Sequence, residues 1–296
     1  MFTDNLTAPT ASTVPQWRNQ WAIAVCAGPA LDRLVPVPPT PALTGRDVTD
    51  ISAAAVADPF LLWHGGRLHL LFEAWNVARG LGELAAAVSD DEGRSWHYDS
   101  VVLREPFHLS YPQVLAVDGD VYMVPETRQA GAVRLYRADA FPRGWRHVAT
   151  LLEGAYADAT IARREGVWYL FAQRGLDELR LFWSERLEAG WREHPASPLW
   201  PGNRSLTRPG GRVLEDGGRW LRFAQDGWPT YGHSLRAIEI VTLTPDAYEE
   251  REVAGSPILR ASRSGWNAVA MHHLDAVRRP DGSWLAVVDG AAPGFF

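Results

Sequence analysis

Five short apolar runs recur along the chain, and each is preceded by a glycine and followed by an acidic or amide residue. The runs are RLHLLF, DVYMVP, VWYLFA, RWLRFA and SWLAVV. The bracketing pairs are Gly66/Glu73, Gly119/Glu126, Gly166/Gln173, Gly218/Gln225 and Gly282/Asp289. A second short strand lies upstream of each glycine, so the chain repeats strand, tight turn, strand at intervals of about fifty residues. This pattern predicts an all-β fold, a five-bladed β-propeller.

The repeat also predicts which polar side chains meet. In a propeller the inner strand of each blade begins near the mouth of a central funnel, and the second strand returns to the same face. The residues that open the inner strands are Asp58, Tyr111, Asp158, Arg208 and His272 or His273. The second strands contribute a further ring made of Glu73, Glu126, Gln173, Gln225 and Asp289. We expect both rings to line the funnel and the turn-side acids to face solvent on the opposite side.

The last repeat lacks its outer strands. Only HHLDAVRR and SWLAVVDG precede the C-terminus, whereas QWAIAVC at residues 20–26 is an unassigned strand near the N-terminus. Pairing the two ends of the chain closes the ring and removes exposed sheet edges. We therefore predict that an N-terminal strand closes the last blade, that residues 20–296 form one domain, and that residues 1–19 are a disordered tail.

Composition narrows the range of functions. The net charge of −6 argues against a nucleic-acid partner, because such binding depends on neutralising phosphates. No apolar run approaches the ~18 residues of a membrane span and no secretory signal is visible, so we expect no membrane partner and a cytoplasmic location. The single cysteine, Cys26, allows no disulfide framework and no thiolate cluster. All 29 basic residues are arginines, which removes lysine chemistry.

Tryptophan is abundant, with 14 residues in the chain. Six of them recur at equivalent repeat positions and are expected to pack within the blades: Trp96, Trp145, Trp168, Trp191, Trp220 and Trp284. Four lie off the repeat or near strand ends, where both packing and stacking on a ligand stay open: Trp63, Trp75, Trp228 and Trp266.

The motifs resemble two known groups of proteins. ADPFLLWHGGRLHLLFEAW, headed by Asp58, resembles the first blade of the five-bladed family-43 glycoside hydrolases. A longer series resembles the N-terminal propeller region of glucosamine inositolphosphorylceramide transferases and its bacterial homologues. In chain order this series is ADPF at 57–60, HLSYPQV at 108–114, PET at 125–127, DAT at 158–160, RPGGR at 208–212, AQD at 224–226, YG at 231–232 and LTPDAYEE at 243–250. The resemblance implies the five-bladed fold, whereas a fold alone does not define a reaction.

The family-43 resemblance implies roles for two carboxylates. Asp58 matches the general base, and Asp158 matches the aspartate that orients the acid and tunes its acidity. The third family-43 carboxylate opens blade four, where this chain has Arg208. An arginine does not release a proton near neutral pH, but it binds carboxylates and phosphates. The proton donor must therefore come from another position.

Glu126 is the best candidate for that donor, because it ends the second strand of blade two; the alternative is a salt bridge to Arg128 or Arg208. Other candidates are Glu73, His272 and His273. The remaining residues expected to bind substrate in the funnel or at its rim are Tyr111, Arg208, Gln173, Gln225, His108 and Tyr231. We predict no cofactor and no metal.

Three functional hypotheses follow. We expect a glycoside hydrolase-like enzyme that uses acid/base chemistry in the funnel on a small intracellular glycoside or sugar conjugate. Arg208 suits a substrate with an anionic group. The missing blade-four glutamate leaves open a natural-product tailoring enzyme or cyclase, and a non-catalytic glycan-binding module is the third possibility.

Overall fold

The computed structural model describes residues 19–31 and 33–294, which form five antiparallel sheets. Two N-terminal strands come first, β1 (Asn19–Gly28) and β2 (Val35–Val37). Blade one contains β3 (Ala53–His64), β4 (Arg67–Asn76), β5 (Leu81–Ser89) and β6 (His97–Leu103). Blade two contains β7 (Ser110–Val117), β8 (Asp120–Glu126), β9 (Ala132–Ala140) and β10 (Arg143–Glu153). Blade three contains β11 (Tyr156–Arg164), β12 (Val167–Arg174), β13 (Glu178–Ser184) and β14 (Arg192–Glu193).

Blades four and five depart from this four-strand order. Blade four contains β15 (Arg208–Pro209), β16 (Leu214–Asp216), β17 (Arg219–Asp226), β18 (Ser234–Leu243), β19 (Tyr248–Glu252) and β20 (Leu259–Arg260). Blade five combines β21 (Leu274–Arg278) and β22 (Trp284–Pro293) with β1 and β2. Three short 3-10 helices lie in the connections, at Gly45–Asp47, Arg128–Ala130 and Gly265–Asn267. The all-β, five-bladed propeller predicted from the repeat is confirmed.

The N-terminal strand closes the ring, as the sequence predicts. Strand β1 lies between β2 and β22, and it pairs antiparallel with β22 along its whole length, beginning with Asn19 opposite Pro293. Because β1 covers the outer edge of β22, the two ends of the chain share one sheet. Residues 1–18 of the predicted tail lie outside the described residues, and Asn19 is the first residue of β1.

A bulge within each of the first three inner strands sets the direction of one polar residue, which the sequence placed at the head of the repeat. Asp58, Tyr111 and Asp158 have φ angles of 51°, 50° and 48°, in the left-handed region. The pairing register with the second strand shifts at each of these residues. This backbone conformation costs free energy for any residue that has a Cβ. Bulges of this kind change the direction of side chains and are common next to functional sites. The same type of bulge therefore sets the direction of Asp58, Tyr111 and Asp158 in their blades.

Blade four has no such bulge, because its inner strand is divided into β15 and β16. Arg208 pairs directly with Gln225 on β17. Between the two segments, Gly211 has a φ of 139°, and a Cβ at this position would lie 1.8 Å from the carbonyl oxygen of Leu274. Only glycine allows blade four to approach blade five this closely.

The apolar cores lie between neighbouring sheets. The six tryptophans at repeat positions all pack in these cores, as predicted. Of the four undecided tryptophans, Trp63, Trp75 and Trp266 pack against core clusters, whereas Trp228 is 63% exposed. Among the described residues, no helix is long and apolar enough to cross a bilayer.

Candidate active site

The openings of the inner strands converge on one buried polar cluster, which we call the funnel cluster. It contains five carboxyl groups from four blades, each at least nine-tenths buried: Asp58, Glu73, Glu126, Asp158 and Asp289. Blade four adds Arg208 and Gln225, and blade five adds His272 and His273. The contacts described below join these residues into one network.

Asp158 is bound by two residues of blade four. Its Oδ2 atom accepts hydrogen bonds from Nε of Arg208 at 2.6 Å and from Nε2 of Gln225 at 2.7 Å. Glu126 contacts the same group from blade two: its Oε2 accepts from the backbone N–H of Asp158 at 3.2 Å and lies 3.8 Å from Nη2 of Arg208. A salt bridge to Arg208 was the alternative prediction for Glu126, and this contact is longer than the one between Arg208 and Asp158. The charge of Arg208 is matched mainly by Asp158.

Asp289 connects blade five to the candidate base. Its Oδ2 accepts the backbone N–H of Asp58 at 3.1 Å. Its Oδ1 accepts the backbone N–H groups of His272 and His273 at 3.2 and 3.1 Å and lies 2.9 Å from Nδ1 of the His272 ring. One carboxylate therefore fixes both the Asp58 backbone and the His272 ring. The repeat placed Asp289 in the second ring, but sequence reasoning did not assign it a role in the site.

The imidazole of His272 is held on two further sides. Its Nε2 lies 3.2 Å from the hydroxyl of Tyr231, and its ring stacks on Trp21 with centroids 4.2 Å apart and planes at 22°. Tyr231 is 55% exposed, and its ring covers the guanidinium of Arg208 at 5.2 Å. Tyr231 therefore forms an accessible part of the wall, where the sequence placed it at the rim. Trp21 was missed, because β1 carries no signature of the repeat.

Two predicted substrate-binding residues are fully buried instead of facing open space. Tyr111 is fully buried; its hydroxyl lies 2.6 Å from Oγ1 of Thr160 and accepts the N–H of Gly211 at 2.7 Å. Tyr111 therefore has a structural role, because its ring is buried and its hydroxyl is already hydrogen-bonded within the protein. His273 is also fully buried, with Nδ1 3.6 Å from Oδ1 of Asp58.

Two other predicted binding residues support neighbouring loops. Gln173 donates from Nε2 to the carbonyl of Leu176 at 2.9 Å. His108 accepts the N–H of Gly82 on Nδ1 at 2.9 Å, and its Nε2 lies 3.8 Å from Oε1 of Glu73. His108 thereby reaches the funnel cluster from the blade-two entry loop, whereas Gln173 also bonds at 3.3 Å to the hydroxyl of the buried Thr207 beside Arg208.

An ion pair closes the axis below the cluster. Arg212 donates to Asp275 at 2.9 Å from Nε, to the carbonyl of Val114 at 2.9 Å and to the carbonyl of Leu61 at 3.0 Å. These contacts join blades one, two, four and five, and Leu61 and Val114 lie three positions further along their strands than the bulged residues Asp58 and Tyr111. Sequence reasoning missed both charged residues, because a pair of this kind has no local motif.

The carboxyl groups of the cluster differ in acidity. Burial raises the pKa of Asp58 to about 7, although the nearby His272 opposes the shift. Burial together with the charge of Asp158 raises the pKa of Glu126 to about 8. Burial also acts on Asp158, but Arg208 outweighs it and holds the pKa of Asp158 below its usual value. Carboxyl groups with pKa values driven apart are typical of acid/base sites.

Several buried polar atoms of the cluster have no hydrogen-bond partner among the described residues. They are Oδ1 of Asp58, Oε1 of Glu73, Oδ1 of Asp158, Oε1 of Gln225 and both ring nitrogens of His273. Unsatisfied buried polar atoms are costly and uncommon in native proteins. Their concentration in the funnel cluster makes it a place where water or a polar ligand can be hydrogen-bonded.

One trio in the cluster has the donor types of a cation site. Asp58, His272 and Asp289 each offer one ligand atom, and these atoms lie within 4.8 Å of one another. However, the two oxygens of Asp289 already accept four hydrogen bonds, one of them from the His272 ring. The arrangement fits a hydrogen-bonded network better than a metal site.

The ring of five sheets around an acidic funnel defines a five-bladed propeller of the type found in several glycoside hydrolases. The catalytic domain of the Coprinopsis cinerea GH62 α-L-arabinofuranosidase superposes with a TM-score of 0.59 at 14% identity, over 82% of this chain and 93% of that one. A thermostable family-43 glycoside hydrolase gives a TM-score of 0.57 at 14% identity, over 81% of this chain and 90% of that one. At such low identity these similarities establish the fold alone.

The sequence itself identifies the family. Residues 33–291 match the family described as glucosamine inositolphosphorylceramide transferase 1, N-terminal, and the chain belongs to this family. The rice (Oryza sativa subsp. japonica) protein of that name is 35% identical over 244 residues, which is 79% of this chain and 33% of the rice protein. The Arabidopsis thaliana protein is 35% identical over 246 residues, 79% of this chain and 32% of its own length. The chain thus spans about a third of these curated relatives.

Proposed function

We propose that this protein is a carbohydrate-active enzyme, similar to a glycoside hydrolase, that acts on a small sugar conjugate in the central funnel. The observation that carries the proposal is the convergence of Asp58 and Glu126, both with raised pKa values, on the ionised Asp158 in one buried cluster. The relatives are named as transferases of glucosamine, and the structural neighbours as glycoside hydrolases, which supports a carbohydrate substrate.

The geometry supports a division of roles. Asp58, when ionised, takes a proton from the water that attacks the anomeric carbon, and Glu126, when protonated, gives its proton to the leaving oxygen. Asp158 positions Glu126 through its backbone N–H, and its fixed negative charge favours the protonated form of Glu126. Arg208 and Gln225 keep Asp158 in place.

The proposal includes the nature and location of the substrate. We propose a small conjugate in the cytoplasm, with no nucleic-acid or membrane partner and no cofactor. An anionic group on this conjugate would bind beside Arg208, next to the ion pair with Asp158 and below the Tyr231 ring. Free sugars, sugar nucleotides and sugar phosphates therefore belong in the same ligand panel.

The test compares turnover and binding in matched variants. Wild type, Asp58→Asn and Asp158→Asn are incubated with a panel of aryl glycosides, free sugars, sugar nucleotides and sugar phosphates, and binding is measured by calorimetry. Glu215→Gln is the control, since Glu215 is exposed on the turn side of blade four. We expect both funnel variants to lose turnover by at least about a hundredfold with binding retained, and the control to match wild type. Turnover that survives in Asp58→Asn contradicts the proposal.

A second candidate function is supported by Arg208. This residue occupies the position of the third family-43 carboxylate and forms an ion pair with Asp158, so the funnel differs from that of a family-43 hydrolase at one of its key positions. A biosynthetic tailoring enzyme or cyclase that uses the same acids on a non-sugar substrate fits this difference. Binding without turnover across the whole panel, unchanged in both aspartate variants, would instead indicate a glycan-binding module.

A further inference from the structure

Trp21 is the residue through which the ring-closing strand reaches the funnel. It lies on β1, is 8% exposed, and stacks on the imidazole of His272 with centroids 4.2 Å apart. Its ring also meets Tyr231 edge-on, with centroids 6.3 Å apart. Trp21 lies outside residues 33–291, the part of the chain that matches the family. A residue beyond the family match therefore contacts the candidate site directly.

The contact between Trp21 and His272 is closely packed on a further side. Gly232 follows Tyr231 with a φ of 67°, and a Cβ at this position would lie 3.0 Å from the Trp21 ring and 3.2 Å from the His272 ring. The N–H of Met271 donates to the carbonyl of Gly232 at 3.0 Å, which fixes this loop against blade five. The indole, the imidazole and the loop backbone thus leave little room for the His272 ring to turn.

The orientation of the His272 ring decides whether its two nitrogens reach their partners. Nδ1 lies 2.9 Å from Asp289 and Nε2 lies 3.2 Å from the Tyr231 hydroxyl, and both contacts require the observed ring plane. Asp289 also accepts the backbone N–H of Asp58. A rotated imidazole would release Tyr231 and remove one of the three hydrogen bonds on Oδ1 of Asp289, the carboxylate that holds the candidate base.

We infer that Trp21 is a positioning residue of the funnel: by stacking on His272 it holds the ring in the plane that joins Asp289 to Tyr231. This inference depends on the proposed function only in treating the funnel as a catalytic site. Trp21 itself contacts no reacting atom; it acts through His272 on the hydroxyl of Tyr231 and, through the carboxylate of Asp289, on the backbone of Asp58. The N-terminal strand then has two tasks, to close the ring and to support the site.

The test measures the His272 ring directly and needs no substrate. A proton on Nδ1 that is bonded to a buried carboxylate exchanges slowly with water, and its NMR signal is assigned by its loss in His272→Gln. The variants are Trp21→Leu, which removes the aromatic face, and Trp21→Phe, which keeps one. Val25→Ala is the control, because Val25 is a buried core residue on the same strand with no contact to the funnel cluster.

We expect exchange of this proton to be roughly tenfold faster in Trp21→Leu than in Val25→Ala under conditions of equal global stability, with Trp21→Phe between them. Equal exchange in Trp21→Leu and Val25→Ala would show that Trp21 only stabilises the fold and would overturn the inference. Absence of a slowly exchanging His272 proton in wild type would overturn it as well. Neither result depends on turnover, so failure of the proposed function is recognised separately, by the absence of activity on every glycoside.

Discussion

Nε of Arg208 lies 2.6 Å from Oδ2 of Asp158, and this contact joins residues of adjacent blades that are fifty positions apart in the chain. The carboxylate is almost fully buried, whereas a quarter of the Arg208 side chain is exposed. Asp158 therefore places a fixed negative charge inside the funnel, and Arg208 compensates that charge from the rim. Removing one partner of such a pair leaves an uncompensated buried charge.

Replacement of Arg208 by glutamine is expected to lower the free energy of unfolding by about 3–5 kcal/mol at neutral pH, because Asp158 loses its partner. The double variant with Asp158→Asn should recover part of this loss. Urea unfolding of the four proteins in a double-mutant cycle measures the coupling. The control is Arg146→Gln: Arg146 forms a similarly short but half-exposed pair with Asp139, and because solvent screens this pair its loss should lower the free energy of unfolding far less. Equal losses at the two sites would contradict this assignment.

The two raised pKa values predict a narrow pH optimum. Asp58 must be ionised to act as the base, so activity should rise with pH through about 7, and Glu126 must be protonated to act as the acid, so activity should fall through about 8. The profile of kcat/KM for any glycoside that is turned over measures both limbs. Glu126→Gln should lose most activity and, with it, the alkaline limb. If the alkaline limb persists in the residual activity, Glu126 is not the proton donor.

The sequence predicts the funnel well where the repeat is regular. Register alone placed Asp58, Glu126, Asp158 and Gln225 in one cluster, because equivalent positions of a propeller face the same axis. It did not predict the bulges that put Asp58 and Asp158 at positive φ, since aspartate at a strand start has no local signal for this conformation. The burial of Tyr111 could not be predicted either, because Tyr111 lies at an equivalent bulge and yet its side chain is fully buried.

The remaining parts of the site depend on tertiary contacts that no spacing encodes. Trp21 reaches His272 only because β1 pairs with β22, and Arg212 finds Asp275 only because the inner strand of blade four is broken at Gly211. The position of Arg208 in the ring was correct, but whether it would bind Asp158 or Glu126 depended on side-chain directions. Side-chain packing between the blades of the folded protein determines these contacts.

The same carboxyls predict how stability varies with pH. A group whose pKa is raised on folding stabilises the protein below its unfolded pKa, and this stabilisation is lost as pH rises through the folded value. With Asp58 at about 7 and Glu126 at about 8, the free energy of unfolding should fall between pH 5 and 8. Glu126→Gln should make this slope shallower by up to about 1.4 kcal/mol per pH unit, and Glu215→Gln should leave it unchanged. Denaturant melts at several pH values measure the slopes, and identical slopes in wild type and Glu126→Gln would refute the assignment.

Gly211→Ala tests the close approach of blades four and five. A methyl group there would lie 1.8 Å from the carbonyl oxygen of Leu274, so the strand must shift, and with it the hydrogen bonds between Gly211 and Tyr111. The control is Gly218→Ala, at a φ of 79° with no atom within 4 Å, which gives the cost of a Cβ at a positive φ without a steric clash, about 1–2 kcal/mol. We expect Gly211→Ala to lose at least about 2 kcal/mol more than this control in urea unfolding, because backbone must move as well. Equal losses in the two variants would mean that blade four can withdraw from blade five at no cost in stability.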